Sequence, residues 1–297
     1  MSELTDKLKA AKARTAGTVV AAKPRPKAYR LKAEDNDAVK ALLFGHSGTG
    51  KTFFLVGILL AGERVVVLSS DFGSNGLVTV KNELRKRGKL DLLNNLVVVD
   101  VSTFDEIVGF FDNAIDYMPD LNDFNPTVIV WEGFTSFNVD ILDEYILSMA
   151  PGADGAGEMR KEGWTHTKQD WQGHKRGTIR TLRRFLAWTP ESGKKIHKLL
   201  TCLESKPEIN ELSSKTQRGP LVHGTGRDLM NVGFDVVMQT FKEETKETGV
   251  IQHFYRFSGA SDKFVVKSRG FDLQPIEPAE PERIWSILSG KVTNGEK

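Results

Sequence analysis

The 297-residue chain has a single cysteine, Cys202, and no long apolar run. One cysteine excludes an internal disulfide and a cysteine metal cluster, and the six histidines lack the spacing of metal ligands. The longest apolar runs, Val65 to Leu68 and Thr127 to Trp131, are far shorter than the roughly 20 residues of a membrane helix. No N-terminal apolar segment is typical of a secretory signal. These absences predict a soluble cytoplasmic protein.

Negative charge is scarce in the first part of the chain. Residues 1–32 carry nine Lys or Arg against two acids, so the formal charge of +2 leaves −5 for the remainder. Alanines, two prolines and scattered lysines predict a basic, disordered arm over residues 1–36. Such an arm either contacts nucleic-acid phosphates or is only a solvated leader. A transit peptide is a third interpretation, which the low serine content and the acids Glu3 and Asp6 disfavour.

Short β-rich runs alternate with helical patterns beyond the arm. This alternation predicts an α/β fold with a mostly parallel central sheet and crossover helices, in which ligands bind at the carboxyl ends of the strands. Strands are predicted at residues 64–69, 96–101, 127–131 and 198–203, and helices at 77–87, 103–117, 136–149 and 169–188.

The last third of the sequence has a different pattern. Runs at 232–241, 250–258 and 263–267 predict antiparallel strands that extend the sheet. A hydrophobic content of 39% suffices for one large core. We assign that core to residues 37–275 and a C-terminal extension to residues 276–297.

A glycine-rich segment follows the first apolar run. It consists of Gly45, His46, Ser47, Gly48, Thr49, Gly50, Lys51 and Thr52, and an apolar helical pattern comes next. Strand, glycine loop and helix is the order that a phosphate cradle needs, because loop N–H groups and the positive helix end then face the phosphates. Lys51 would reach the β and γ oxygens, and the Thr52 hydroxyl would ligate Mg²⁺. The segment predicts nucleoside triphosphate binding, with an ordinary strand-to-helix turn as the alternative.

Two acids directly follow buried strands, where a phosphate cradle needs carboxylates. Glu132 ends the run Thr127 to Trp131 and is the candidate to support the metal, as the acid of a Walker B motif does. Asp71 follows the strand at 64–69 and is the candidate to orient water toward the γ-phosphate. For either residue, a helix cap or turn acid is the alternative.

The order of these parts over residues 38–270 resembles the RecA-like core of the P-loop ATPases. It is most similar to the compact phage-type ATP-binding proteins related to single-strand annealing recombinases, on Asp71 and on the string Glu132-Gly133-Phe134-Thr135. The resemblance implies a RecA-like P-loop NTPase fold, the cofactors ATP and Mg²⁺, and single-stranded DNA as a partner. It also implies a homo-oligomeric ring or filament, and a phage or prophage gene expressed in a bacterial cytoplasm.

The resemblance assigns further candidate residues. Glu204 ends a core strand where recombinases place a γ-phosphate sensor, usually glutamine. Lys267 and Arg269 lie in a late strand whose basic residues, in RecA-like filaments, reach the γ-phosphate of the neighbouring subunit. An exposed, charged strand end is the alternative for that pair.

Two polar stretches fall where recombinases place their DNA-binding loops, at residues 151–167 and 205–226. Polar composition is also ordinary for loops of any ATPase. The candidate nucleic-acid contacts in them are Arg160, Lys161, Lys206, Lys215 and Arg218.

The leading hypothesis is therefore an ATPase that binds single-stranded DNA in recombination, repair or replication. The alternative is a P-loop ATPase motor or switch that acts on a protein, such as a helicase loader or packaging accessory. A nucleotide-binding module without turnover is a third class. Adenine as the base follows from the resemblance alone.

Overall fold

A nine-stranded mixed sheet forms the centre of the computed structural model. The structure describes residues 38–71, 75–113, 124–149, 167–190, 192–209, 216–223, 230, 232–245, 249–258, 263–268 and 270–291. Within these, the sheet strands are β1 (Lys40–Gly45), β2 (Val65–Ser69), β3 (Leu96–Asp100), β4 (Val128–Glu132), β5 (His197–Leu203), β8 (Val236–Glu244), β9 (Ile251–Arg256), β10 (Lys267–Ser268) and β11 (Ile276–Pro278). Strands β6 (Glu208–Ile209) and β7 (Thr216–Gln217) form a separate antiparallel ribbon.

The strand order is β3, β2, β4, β5, β1, β8, β9, β11, with β10 beside the start of β8. Neighbours from β3 to β8 run parallel, and the pairs β8–β9, β9–β11 and β8–β10 are antiparallel. The predicted α/β class and mostly parallel central sheet are thus confirmed. Because parallel strands end on one edge, the segments that follow β1, β2, β4 and β5 meet there.

Helices cover both faces of the sheet, so most residues of the central strands are buried. They are α1 (Phe54–Leu60), α2 (Asn75–Lys86), α3 (Phe104–Asp112), α4 (Phe134–Ser136), α5 (Leu142–Met149), α6 (Lys168–Ala187) and α7 (Pro281–Leu288). A 3₁₀ turn (Leu90–Asn95) precedes β3, and a π-helical turn (Phe137–Ile141) joins α4 to α5.

Alternate side chains of β1 enter two cores. Leu42 and Phe44 pack in one core with apolar side chains of α3 to α6. Ala41 and Leu43 pack in the other core with apolar side chains of α1, α2 and α7. The period of two along the strand produces this division.

Capping boxes fix the start of two helices. At α3, Thr103 accepts from the Glu106 amide, and the Glu106 carboxylate accepts from the Thr103 amide. Thr167 and Asp170 make the same pair of bonds at α6. Helix α1 has no side-chain cap, because it begins straight from the glycine-rich loop.

The antiparallel pairing predicted for the three late runs is confirmed between β8 and β9 and between β8 and β10, but β8 joins the rest of the sheet in parallel. Strand β8 begins at Val236 and runs parallel to β1, and only its partners β9 and β10 are antiparallel to it. The long connection after β5 lets the chain cross over before it enters β8, as a parallel pairing requires. The predicted strand at 263–267 is also displaced, since β10 is Lys267–Ser268.

Part of the polar stretch at 205–226 is packed instead of being a bare loop. Residues 218–222 lie against the sheet, with the Arg218 amide donating to the Lys263 carbonyl at 2.8 Å and the Val265 amide donating to the Arg218 carbonyl at 2.9 Å. Val222 is buried. Residues 151–166, 210–215 and 224–229 lie outside the described part of the chain.

Residues 276–291 belong to the same packed body as the sheet. Strand β11 pairs with β9, and α7 buries Ile284, Trp285 and Leu288 against α1. Among the helices that the structure describes, none is both long and apolar enough to cross a bilayer.

Candidate functional site

The loop between β1 and α1 bends through two left-handed residues. Gly48 has φ +72° and Gly50 has φ +98°, a backbone conformation that residues with a Cβ rarely adopt. These turns bring the chain back over the carboxyl end of β1 and into α1. The glycines at positions 48 and 50 are thus favoured by the positive φ angles of this loop.

Three carbonyl groups of this loop are held by side-chain donors. The Lys51 ammonium donates to the Gly45 carbonyl at 3.0 Å and to the His46 carbonyl at 2.9 Å. The Thr49 carbonyl accepts from the Thr240 hydroxyl at 3.1 Å and lies 3.0 Å from Nδ1 of His253. Within the described residues, none of the backbone N–H groups of residues 46–52 donates a hydrogen bond. The loop therefore presents free N–H groups while the carbonyls of residues 45, 46 and 49 are occupied.

Lys51 lies in a strongly desolvated position. Burial lowers the pKa of its ammonium, and the negative charges of Glu132, Asp71 and Glu204 act in the opposite direction. A cation held with little water gains most from an additional anion, because its Coulomb interactions are weakly screened there.

Glu132, at the end of β4, contacts two hydroxyl groups. Thr52 donates to Oε1 at 2.7 Å and Thr201, from the adjacent strand β5, donates to Oε2 at 2.8 Å. Burial raises the pKa of this carboxyl, and the two hydroxyls and Lys51 partly counter that effect. The structure thus joins Glu132 to the loop residue predicted as its metal partner.

Asp71 lies at the same edge, directly beyond β2. Its Oδ1 accepts from the Ser136 hydroxyl at 2.8 Å, and its charge contributes to the pKa values of both Lys51 and Glu132. The residue is exposed, so its carboxylate is accessible to water.

A magnesium ion fits the donors present at this edge. No group of three or more His, Cys, Asp or Glu with metal-site geometry occurs in the described ranges. Mg²⁺ does not require one, because it usually takes one or two protein oxygens and completes its shell with phosphates and water. Thr52 and Glu132 supply two oxygen donors of that kind.

Glu204 is buried beside the loop instead of standing open to a ligand. Its Oε2 accepts from Gln239 at 2.9 Å, while its Oε1 lies 3.4 Å from Nη1 of Arg218 and 3.7 Å from Nε2 of His46. Gln239 is in turn held by Arg256 at 3.0 Å. The predicted sensor position is thus the centre of a polar network that touches the glycine-rich loop.

The remaining predicted residues are spread over other parts of the molecule. Lys206 is exposed. Arg218 is half-buried and paired with Glu204, which reduces its freedom to meet a phosphate. Lys267 is half-buried in β10, opposite Val237 of β8, and does not line the cleft described below. Arg160, Lys161, Lys215 and Arg269 lie outside the described residues.

Several site residues were not predicted from the sequence. Thr201, Thr240 and His253 each bond to the loop or to Glu132 from strands far away in the chain. A threonine in the apolar run of β5 is a weak signal by itself, because an isolated polar residue in a core strand has many explanations. These contacts can be identified only when the register between the strands is known.

These elements surround a cleft of about 1100 Å³. It is lined by the loop at 47–53 and by the carboxyl ends of β4 and β5. Residues 252–255 of β9 and residues 278–279 also line it. Gly45 and His46 do not line the cleft and act through their carbonyls. The volume is at or slightly above the upper end of the roughly 300–1000 Å³ found for ligand clefts.

The chain matches no protein-family model and no curated protein. Fold and site therefore define its class by themselves: an α/β protein with a mostly parallel mixed sheet, flanking helices and a large cleft at the carboxyl edge of that sheet.

Proposed function

We propose that this chain is a Mg²⁺-dependent, RecA-like P-loop ATPase that binds single-stranded DNA. The observation that carries the proposal is the loop at 45–52, where side chains hold the carbonyls of residues 45, 46 and 49 while the N–H groups stay free beside the half-buried Lys51 ammonium. Free N–H groups at a helix N-terminus attract oxyanions, and the positive end of α1 adds to that attraction. A triphosphate supplies the matching charge.

Lys51 would pass from the two loop carbonyls to the phosphate oxygens. The exchange is favourable because neutral carbonyls are weaker partners for an ammonium than charged phosphate oxygens are. Thr52 and Glu132 would hold Mg²⁺, which neutralises charge on the β and γ oxygens when bound. Thr201 keeps the Glu132 carboxylate aimed at this point.

Asp71 would orient the attacking water. In hydrolysis the water oxygen bonds to the γ-phosphorus, the bond to the β–γ bridging oxygen breaks, and ADP and phosphate leave. The exposed carboxylate of Asp71, fixed by Ser136, lies at the same edge as Lys51 and Glu132. Lys267 and Arg269 would act on the site of a neighbouring copy in a ring or filament, where a cation stabilises charge on the transferred group.

The DNA part of the proposal rests on the resemblance and on the Glu204 network. Glu204 links His46, inside the glycine-rich loop, to Arg218, inside the second predicted DNA-binding stretch. Lys206, two residues from Glu204, is an exposed cation on the same stretch. A strand that contacts this stretch would therefore be coupled to the nucleotide through one buried carboxylate.

We expect phosphate release from ATP to require Mg²⁺, to increase with single-stranded DNA and to rise more steeply than linearly with protein concentration. The measurement is a steady-state phosphate assay across protein concentration, with and without DNA. Lys206→Ala should weaken DNA binding and lower its salt slope by about 1, as loss of one phosphate contact does. Lys175→Ala, which removes an exposed cation on α6, is the matched control.

The outcomes separate the candidate functions. DNA-independent turnover with no salt-sensitive DNA binding would favour a motor or switch that acts on a protein. Nucleotide binding with phosphate release at background would reduce the proposal to a binding module.

A further inference from the structure

The cleft continues beyond the glycine-rich loop to a second wall. That wall consists of residues 252–255 of β9 and the turn Pro278 to Ala279. A triphosphate bound to the N–H groups of the loop does not use these side chains, which leaves them for the group that the triphosphate carries. Two polar side chains on this wall carry hydrogen-bonding groups whose roles the structure defines.

The first is His253. Its Nδ1 lies 3.0 Å from the Thr49 carbonyl oxygen, and because a carbonyl only accepts, Nδ1 carries the proton. In the neutral ring Nε2 then has a lone pair and is an acceptor. His253 lines the cleft and is half-buried, so it offers a ligand an acceptor whose tautomer is set by the loop itself.

The second is Tyr255, two residues further on the same face of β9. The residue is 1% exposed and lines the cleft, and its hydroxyl has no hydrogen-bond partner in the described part of the chain. Burial raises the pKa of this phenol, so it stays a neutral O–H donor. Buried hydroxyls are normally hydrogen-bonded, so this unpartnered one has an unmet need for an acceptor. It is covered in this structure, and a ligand in the cleft would have to displace that cover to accept from it.

The Tyr255 ring is fixed by aromatic contacts. It meets Phe54 edge-on with ring centroids 5.4 Å apart, and Phe54 in turn meets Trp285 edge-on at 6.3 Å. Residues i and i+2 of a strand are about 7 Å apart, a span that a nucleoside covers. The wall therefore carries an acceptor and a donor on two residues of the same strand face.

We propose that His253 and Tyr255 recognise the nucleoside of the triphosphate, through ligand groups that donate to Nε2 of His253 and accept from the Tyr255 hydroxyl. Ribose hydroxyls have both properties, and so has a purine edge with an amine and a ring nitrogen. This inference rests on the proposed triphosphate site, and it makes the protein selective for the nucleoside as well as for the phosphates.

Two conservative variants of the full chain test it. Tyr255→Phe removes only the hydroxyl. His253→Asn keeps an N–H donor at the position of Nδ1 for the Thr49 carbonyl but deletes the Nε2 acceptor. Tyr145→Phe, in α5 and away from the cleft, is the matched control. Thermal melting of each variant checks that the fold is kept.

Calorimetric titrations with Mg²⁺ would compare ATP, 2′-deoxy-ATP, 3′-deoxy-ATP, GTP and inorganic tripolyphosphate. We expect each cleft variant to weaken ATP about three- to tenfold and to leave tripolyphosphate within twofold of the parent. Loss of the parent's preference for ATP over the deoxy analogues identifies the sugar as the recognised group. Loss of its preference over GTP identifies the base.

Two results would overturn the inference, and they differ. Nucleoside recognition would be refuted if the parent bound tripolyphosphate and ATP with equal affinity, or if the variants kept the parent's affinity ratios among the nucleotides. Either result would leave the phosphate site intact. Failure of both tripolyphosphate and ATP to bind would refute the phosphate site, and this inference with it.

Discussion

Replacing Glu132 with glutamine is expected to reduce ATP turnover by about 100-fold or more, the effect typical of removing a group that stabilises charge developing in the transition state. The substitution keeps the shape of the side chain and removes the charge that lies between the Thr52 and Thr201 hydroxyls. Thr52 and Lys51 remain to hold the triphosphate, so we expect nucleotide affinity to stay within about threefold of the parent. The loss should therefore fall on the chemical step.

Single-turnover phosphate release measured beside nucleotide titration separates these effects. Glu144→Gln, an exposed acid on α5, is the matched control and should behave as the parent does. A Glu132→Gln protein that releases phosphate at a rate within threefold of the parent would remove Glu132 from the mechanism. A variant that loses nucleotide binding as well would show that Glu132 already stabilises the bound nucleotide before the chemical step.

Replacing Gly57 with alanine is expected to destabilise the protein by about 3 kcal/mol, the upper part of the range for an overpacked core. A Cβ at residue 57 would lie 2.3 Å from the backbone carbonyl carbon of Pro281 and 2.5 Å from the Glu282 amide nitrogen. Neither atom can move without displacing α7, which buries Ile284, Trp285 and Leu288. Alanine favours a helix over glycine by up to about 1 kcal/mol, too little to offset this clash.

Denaturant unfolding measures the change, and Gly173→Ala in α6 is its control. The Cβ of that variant would meet only ordinary contacts at 3.8 Å, so the helix preference should stabilise the protein by up to about 1 kcal/mol. Equal unfolding free energies for Gly57→Ala and the parent would show that α7 does not depend on close contact with α1.

The sequence predicted those features that depend on neighbours along the chain. The glycine loop, the strands before it and after it, and the acids at two strand ends follow from local patterns, and parallel strands then bring Asp71 and Glu132 to one edge. The parallel orientation of β8 was missed because period-two patterns do not carry strand direction. The direction of β8 is revealed only by the strand pairing, in which β1 lies between β5 (197–203) and β8 (236–244) and is parallel to both.

Contacts between distant strands were beyond sequence reasoning. Thr201 meets Glu132 only because β5 lies beside β4, and His253 meets Thr49 across 204 positions of the chain. The pairing of Arg218 with Glu204 likewise needs a bridge between Glu204 and Pro220. Such contacts depend on register, and a single sequence does not fix register between strands so far apart.

The most direct measurement of the central claim is the affinity of Mg²⁺–ATP for Lys51→Ala, by calorimetry. Loss of an ammonium that makes charge-assisted bonds should weaken binding by roughly 10- to 100-fold and abolish turnover. Lys81→Ala, an exposed lysine on α2, should bind as the parent does. Affinity and turnover equal to the parent in Lys51→Ala would contradict triphosphate binding at the loop.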